Sequence, residues 1–207
     1  MFYNILDQER KEFLPFLPKI TQDFYLAGDT GLALQLGHRD SIDFDFFSDS
    51  NFDPQELFDT CQKTLSDYTL RIIQQEPHTL SMLINDTIKL SFFTHTYPLL
   101  SPLLQEEYFA IASIEDIASM KLLTIVNHST TKDYVDLYYI FQKITLKEAL
   151  HLTQKKYPHL DTNLILKSLV YFDDIIDEPI IFKNDYSVDL SEIKNTLISL
   201  TKNYLQQ

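Results

Sequence analysis

The chain has 207 residues, of which 44% are hydrophobic, 23% are charged and three are glycine. This composition is typical of an ordered globular protein with one large domain or two small ones, and it excludes a disordered chain. The formal net charge of −13 excludes a surface that binds nucleic acid over its whole extent, because lysine and arginine supply most non-specific affinity for phosphate.

The sequence carries no signal for a membrane or for secretion. No apolar run approaches the roughly 18–20 residues that cross a bilayer, and the N-terminus lacks the basic start and apolar stretch of a signal peptide. The single cysteine, Cys61, cannot form an internal disulfide, and no Cys/His spacing resembles a zinc site. We therefore expect a cytoplasmic protein that does not bind membranes.

Strand and helix patterns alternate in the first half of the chain. Buried strands show apolar runs or period-two alternation, whereas helices show apolar residues three and four apart. The predicted elements are a leading helix up to Leu14, a strand over 23–27, a helix over 30–36 closed by Gly37, a strand over 41–46, a helix over 54–65, and strands over 69–73, 79–84 and 87–93.

The second half has only helical periodicity. Prolines interrupt the pattern between residues 98 and 109, and the predicted helices that follow span 114–126, 132–141, 146–157, 164–172 and 190–200. The sequence therefore predicts an α+β fold, with a mixed sheet and flanking helices followed by a helical C-terminal half. We place the domains at 1–105 and 106–207.

Two carboxylates alternate with apolar residues in the strand predicted over 41–46. Period-two alternation places Ile42, Phe44 and Phe46 on one face and Asp43 and Asp45 on the other. Carboxylates at this spacing converge on one divalent cation, and Mg²⁺ takes one or two protein carboxylates together with substrate phosphates and water. The alternative is that both residues form the solvent face of an amphipathic edge strand.

A glycine turn precedes the helix predicted over 30–36. In the sequence Gly28-Asp29-Thr30-Gly31, backbone N–H groups at the helix start favour a phosphate, and the Thr30 hydroxyl adds a donor. Gly28 permits a positive φ or a close backbone approach. The alternative is a turn that only connects a strand to a helix.

These residues resemble a known family. Residues 26–47, LAGDTGLALQLGHRDSIDFDFF, resemble the signature of the AbiEii/AbiGii toxin nucleotidyltransferases, in which a Gly-Gly-Thr or Gly-Gly-Ser turn, a helix, a His-Arg-x-Ser segment and Asp-x-Asp-Phe-Phe occur in this order. The resemblance covers roughly residues 24–140 and continues in 89–93, 97–100, 114–121 and 132–137.

The resemblance implies a polymerase-β-like nucleotidyltransferase sheet whose helical domain completes the active-site cleft. It implies transfer of a nucleotide from a nucleoside triphosphate to an acceptor such as tRNA, with Mg²⁺ or alternatively Mn²⁺, by the toxin of a toxin–antitoxin or phage-defence system with an antitoxin partner. The implied residues are Asp43 and Asp45 for metal binding; Asp43, Asp45, Lys121 and Asp133 for catalysis; and Gly28, Thr30, Arg39, Ser41 and Lys121 for nucleotide binding.

Several of these residues also have a structural interpretation. Lys121 has the alternative of a solvated surface lysine, and Arg39 that of an ion-pair partner of a nearby aspartate. Asp133 and Asp136 share a helix face, and Asp133 also suits a helix start, where a negative charge stabilises the dipole.

The sequence departs from the family pattern at three places. Asp29 stands where the family has a second glycine, so its carboxylate must point away from a bound phosphate or meet a cation. Ser91 stands where nucleotidyltransferases often have a third acid, and residues 128–132 replace a segment that commonly contains arginines. The alternative function is therefore a catalytically weakened nucleotide- or protein-binding module of the same fold.

Overall fold

The computed structural model describes residues 1–206 and contains seven strands and eight α-helices within them. The strands are β1 (Tyr25–Ala27), β2 (Asp43–Ser48), β3 (Leu70–Glu76), β4 (Thr79–Ile84), β5 (Ile88–Thr94), β6 (Leu104–Gln105) and β7 (Ala110–Ile111). The helices are α1 (Gln8–Phe13), α2 (Gly28–Leu36), α3 (Pro54–Thr64), α4 (Ile114–Asn127), α5 (Thr131–Ile140), α6 (Leu146–Lys156), α7 (Thr162–Leu169) and α8 (Leu190–Leu205).

The strands form one mixed sheet in the order β3-β4-β5-β2-β1-β7-β6. Strand β2 lies at its centre, antiparallel to β1 and parallel to β5. Within residues 1–206, no helix is both long enough and apolar enough to cross a bilayer. This architecture confirms the predicted fold class, a mixed sheet with flanking helices followed by a helical C-terminal half.

Each face of the sheet has its own hydrophobic core. Leu26, Phe44 and Phe46 point to one face, where they pack with the N-terminal segment and α3. Tyr25 and Ala27 point to the other face, where the core is completed by α2 and α4 to α8. The second face therefore brings the helical half of the chain against β1 and β2.

Local sequence signals explain several of the element boundaries. The Asp53 side chain accepts hydrogen bonds from two backbone N–H groups and caps α3, which begins at Pro54. Gly37 ends α2 with a φ of 72°. Asn85 and Asp86 both have positive φ and form the tight turn between β4 and β5, as the sequence predicted.

The structure corrects the predicted strand over 41–46. Strand β2 begins at Asp43, and Ile42 is 50% exposed rather than buried with Phe44 and Phe46. The reason is that the backbone before β2 pairs outside the sheet, where the Asp40 N–H donates to the Ile181 carbonyl. The short strands β6 and β7 were not predicted, and the division into domains at 1–105 and 106–207 stays a prediction.

Candidate active site

The turn at Gly28 contacts the carboxylate of Asp45. Gly28 directly follows Ala27, which is paired with Asp45 across β1 and β2. Its φ is 62°, and a Cβ atom at this position would lie 3.4 Å from Asp45 Oδ2. Glycine is therefore favoured here by the left-handed backbone, and a Cβ atom would lie in ordinary contact with the Asp45 carboxylate.

Asp43 and Asp45 project from the same face of β2. Their partners on β5 are Lys89 and Ser91 respectively, which lie on the same face. Lys89 Nζ is 3.4 Å from Asp43 Oδ2, and both of these side chains are about 40% exposed. The carboxylate pair thus has the exposed cation of Lys89 at its outer end, and a serine where a third acid would stand.

The environment of Asp45 disfavours its ionised carboxylate. Burial, together with the negative charges of Asp29 and Asp43, raises its pKa to about 6, although Lys89 opposes the shift. The buried Ser91 hydroxyl opposes it only weakly, since it makes no well-formed hydrogen bond within residues 1–206. A carboxylate whose charge is disfavoured in this way is stabilised by a cation.

The Thr30 and Ser41 hydroxyl groups connect the Gly28 turn to the start of β2. Thr30 Oγ1 lies 2.7 Å from Ser41 Oγ and donates to the Asp43 carbonyl. Both residues are buried. Their predicted role in nucleotide binding stays a prediction, and in this structure the two hydroxyl groups fix the backbone that carries Asp43.

Lys121 lies at the centre of a buried ion cluster behind the carboxylate pair. Its Nζ is 2.8 Å from both Asp133 and Asp136 and also contacts Asp29. The Lys121 side chain is 5% exposed, so the alternative of a solvated surface lysine is wrong. Lys121 connects α4 to both aspartates of α5 and to the start of α2.

Arg39 completes this cluster from the other side. Its Nε and Nη2 atoms each lie 2.7 Å from one oxygen of Asp136, and Nη2 is 3.0 Å from Asp29 Oδ2. His38 Nε2 lies 2.8 Å from the same Asp136 carboxylate. The structure therefore contains the ion pairs with nearby aspartates that the alternative interpretation of Arg39 predicted.

The opposite charges in this cluster hold one another ionised. Burial alone would raise the pKa values of Asp29 and Asp136, but Lys121 and Arg39 outweigh it and lower both. Burial would lower the pKa of Lys121, yet the surrounding carboxylates raise it. Asp29, which interrupts the family's glycine pair, thus meets two cations.

The two carboxylate oxygens of Asp133 make different structural contacts. One carboxylate oxygen accepts from the Thr130 backbone N–H at 2.9 Å and from its hydroxyl at 3.1 Å, forming a capping box at the start of α5. The other oxygen accepts from Lys121 at 2.8 Å. The helix-start interpretation of Asp133 is observed, and its predicted catalytic role stays a prediction.

The chain was compared with models of known families. Residues 17–202 match the family described as "Nucleotidyl transferase AbiEii toxin, Type IV TA system". The chain belongs to this AbiEii family. It is accordingly a nucleotidyltransferase of a toxin family, as the resemblance of residues 26–47 implied.

The chain is also similar to three known proteins. An uncharacterised protein, aq_aa25 from Aquifex aeolicus (strain VF5), is 39% identical over 179 residues, which cover 84% of this chain and 86% of that protein. MenT4, a nucleotidyltransferase toxin from Mycobacterium tuberculosis H37Rv, has a TM-score of 0.59 at 14% identity, covering 94% of this chain and 82% of that one. JHP933 from Helicobacter pylori has a TM-score of 0.55 at 17% identity, covering 98% and 100%. The two structures show similarity of fold.

A small cavity opens in front of the carboxylate pair of this AbiEii protein. It has a volume of about 220 Å³. Part of its wall comes from the crossing segment, which we define as residues 173–189 between α7 and α8. The lining residues are Asp29, Arg39, Asp40, Ser41, Ile42, Asp43, Asp45, Lys132, Pro179 and Ile181.

The cavity combines predicted and unpredicted residues. It includes Asp43, Asp45, Arg39 and Ser41, whereas Gly28 adjoins it through Asp45. Thr30, Lys121 and Asp133 lie behind its wall, connected to it through Ser41 and Asp29. Sequence analysis missed the crossing segment, which has no periodic pattern, and it gave Lys132 no role of its own although this residue begins the resembling segment 132–137.

The donor set suits a magnesium ion bound together with substrate. Within residues 1–206, no three or more His, Cys, Asp or Glu side chains are grouped as metal ligands, so a closed all-protein cage is not formed there. Two carboxylates on one face of β2, one with a raised pKa, fit an ion that completes its shell with phosphate oxygens and water.

Proposed function

We propose that this protein transfers a nucleoside monophosphate from a nucleoside triphosphate to an acceptor hydroxyl, with release of pyrophosphate, in a reaction that depends on Mg²⁺ or Mn²⁺. One observation carries the proposal: Asp43 and Asp45 share a face of β2, and Asp45 lies against the Gly28 turn. This arrangement provides carboxylates for a cation beside a backbone that a phosphate can approach closely.

Asp43 and Asp45 would hold the metal ion. When bound, Mg²⁺ supplies positive charge that stabilises the phosphate oxygens during transfer. With its pKa near 6, Asp45 is mostly ionised at neutral pH and is ready to accept a cation. Gly28, which has a positive φ and no side chain, would let a phosphate approach the backbone at the helix start closely.

The ion cluster would hold the cavity wall in place. Asp29 is kept beside Lys121 and Arg39, so its carboxylate is neutralised where a phosphate would enter. Nucleotide binding by Thr30, Ser41, Arg39 and Lys121, and a catalytic role for Lys121 and Asp133, remain part of this proposal. Each would need to exchange a present contact for a contact with the substrate.

Family membership supports a proposal for the partner of this chain. AbiEii proteins are described as toxins of a type IV toxin–antitoxin system, and we propose an antitoxin protein as the partner of this chain. We propose an RNA acceptor such as tRNA. Because the net charge is −13, RNA binding would be confined to a local surface near the cavity.

A second candidate function is a binding module with weakened catalysis. It is favoured by Ser91, which pairs with Asp45 where a third acid would stand, and by Lys121, whose ammonium group is surrounded by three carboxylates. Such a module would bind a nucleoside triphosphate without turning it over.

Incubation with labelled substrates separates the two functions. Each nucleoside triphosphate, labelled on its base, would be incubated with total cellular RNA or protein, with Mg²⁺, with Mn²⁺ or with EDTA. We expect a labelled acceptor with either metal, no labelled acceptor with EDTA, and none with Asp43→Ala or Asp45→Ala. Binding of triphosphate by the wild type without any labelled acceptor would favour the binding module.

A further inference from the structure

The cavity contains more negative than positive charge. Four carboxylates line it, those of Asp29, Asp40, Asp43 and Asp45, whereas its cationic lining residues are Arg39 and Lys132. A triphosphate that enters must therefore find positive charge from the protein in addition to a metal ion. The question is which of these cations is free to contact it.

The Arg39 side chain is buried and is held by several contacts within the protein. It makes two hydrogen bonds to Asp136, one ion pair to Asp29 and one hydrogen bond to the Asp40 carbonyl, and its side chain is 1% exposed. Moving it to a substrate would leave the carboxylate of Asp136 buried with fewer partners, which is costly. Nucleotide binding by Arg39 therefore costs more than binding by a cation with fewer contacts in the protein.

Lys132 has the opposite character. Its one ion pair within residues 1–206 joins Nζ to Glu178 Oε2 at 3.3 Å, and the two side chains are 29% and 37% exposed. A partly exposed pair with a single contact contributes little to stability. Lys132 can therefore release Glu178 at small cost, while its backbone stays fixed in the first turn of α5.

Glu178 is held in position by the crossing segment. The Thr131 N–H donates to the Ile176 carbonyl at 3.0 Å, and farther along the Asp40 N–H donates to the Ile181 carbonyl at 2.9 Å. These two contacts bridge the start of α5 to the residues before β2, with Glu178 between them. The segment thus places a carboxylate beside Lys132 at the edge of the cavity.

We propose that Lys132 is a phosphate-binding residue for the nucleoside triphosphate. Its ammonium group stays ion-paired with the Glu178 carboxylate until a substrate phosphate displaces that carboxylate. This inference rests on the proposed function, since it assigns one contact of the same substrate. The cavity volume of about 220 Å³ is below the roughly 300–1,000 Å³ of pockets that enclose whole ligands. It accommodates phosphates, with the base outside, so Lys132 contributes affinity common to all four nucleotides.

Nucleotide binding measured in Mg²⁺ tests the assignment. We expect Lys132→Met to weaken binding of ATP, GTP, CTP and UTP alike, by about tenfold, as for the loss of one charge-assisted hydrogen bond. The same variant should raise the KM for nucleotide more than it lowers kcat, and Lys132→Arg should restore most of the affinity. As a single substitution, Glu178→Gln should tighten nucleotide binding about threefold, because it removes the competing carboxylate. Added to Lys132→Met, it should have no effect on nucleotide binding.

The matched control is Lys143→Met, because Lys143 is an exposed lysine just beyond the end of α5 and its loss changes the net charge equally. This control should bind nucleotide as the wild type does. Thermal unfolding should show that Lys132→Met remains folded. If the wild type transfers nucleotide but Lys132→Met binds as tightly as Lys143→Met, the role of Lys132 is overturned while the proposed function stands. If the wild type binds no triphosphate, both are overturned.

Discussion

Replacement of Asp45 by asparagine should stabilise the protein in a manner that depends on pH. In the folded chain, burial and the charges of Asp29 and Asp43 raise the Asp45 pKa from 3.8 to about 6. The folded state then binds a proton more tightly than the unfolded state, so this group's contribution to stability is present below about pH 4 and is lost as pH rises through about 6. A shift of about two units corresponds to about 2–3 kcal/mol.

The free energy of unfolding of Asp45→Asn, relative to that of the wild type, should therefore rise by about 2 kcal/mol between about pH 4.5 and about pH 7.5. Guanidinium unfolding with EDTA present measures it, because a bound metal would stabilise the wild type by mass action and hide the difference. Asp67→Asn, at an exposed aspartate, controls for the loss of a charge. A stability difference between Asp45→Asn and wild type that stays constant over this range would refute the reasoning.

Three further predictions concern the surroundings of the carboxylate pair. Asp136→Asn should destabilise the fold by about 3–5 kcal/mol in guanidinium unfolding, because Arg39 and Lys121 would keep buried charges without their shared partner; a loss under about 1 kcal/mol would contradict this. The pKa values of Asp29 and Asp136 are lowered in the folded state. Their contribution to stability should therefore be present above about pH 4 and should disappear as the pH falls further. An acid titration of Asp136→Asn should accordingly show a smaller loss of unfolding free energy than that of the wild type. Gly28→Ala should cost about 1–2 kcal/mol because of the positive φ and should also reduce nucleotide transfer, whereas unchanged stability and transfer would show that the turn tolerates a side chain.

Local periodicity explains which parts of the site could be predicted from the sequence. Alternation in residues 41–46 placed Asp43 and Asp45 on one face, and the spacing of three placed Asp133 and Asp136 on one side of α5. Both inferences depend only on the geometry of a single strand or helix. The turn at Gly28 was likewise marked by its residue type.

Contacts between distant segments could not be predicted in this way. The ion pair of Arg39 with Asp136 joins residues 97 positions apart, and that of Lys121 with Asp29 joins residues 92 apart. No periodicity within one element reports such a pairing. The crossing segment likewise has no regular pattern, because its backbone is held by isolated hydrogen bonds to other parts of the chain.

The position of the label in the product tests nucleotidyl transfer most directly. A nucleoside triphosphate radiolabelled at the α-phosphate, and a second radiolabelled at the γ-phosphate, would each be incubated with the protein, Mg²⁺ and total cellular RNA. The account predicts that the α-label enters the acceptor, that the γ-label leaves as pyrophosphate, and that Asp43→Ala and Asp45→Ala abolish both. Transfer of the γ-label to the acceptor, or wild-type activity in either variant, would contradict it.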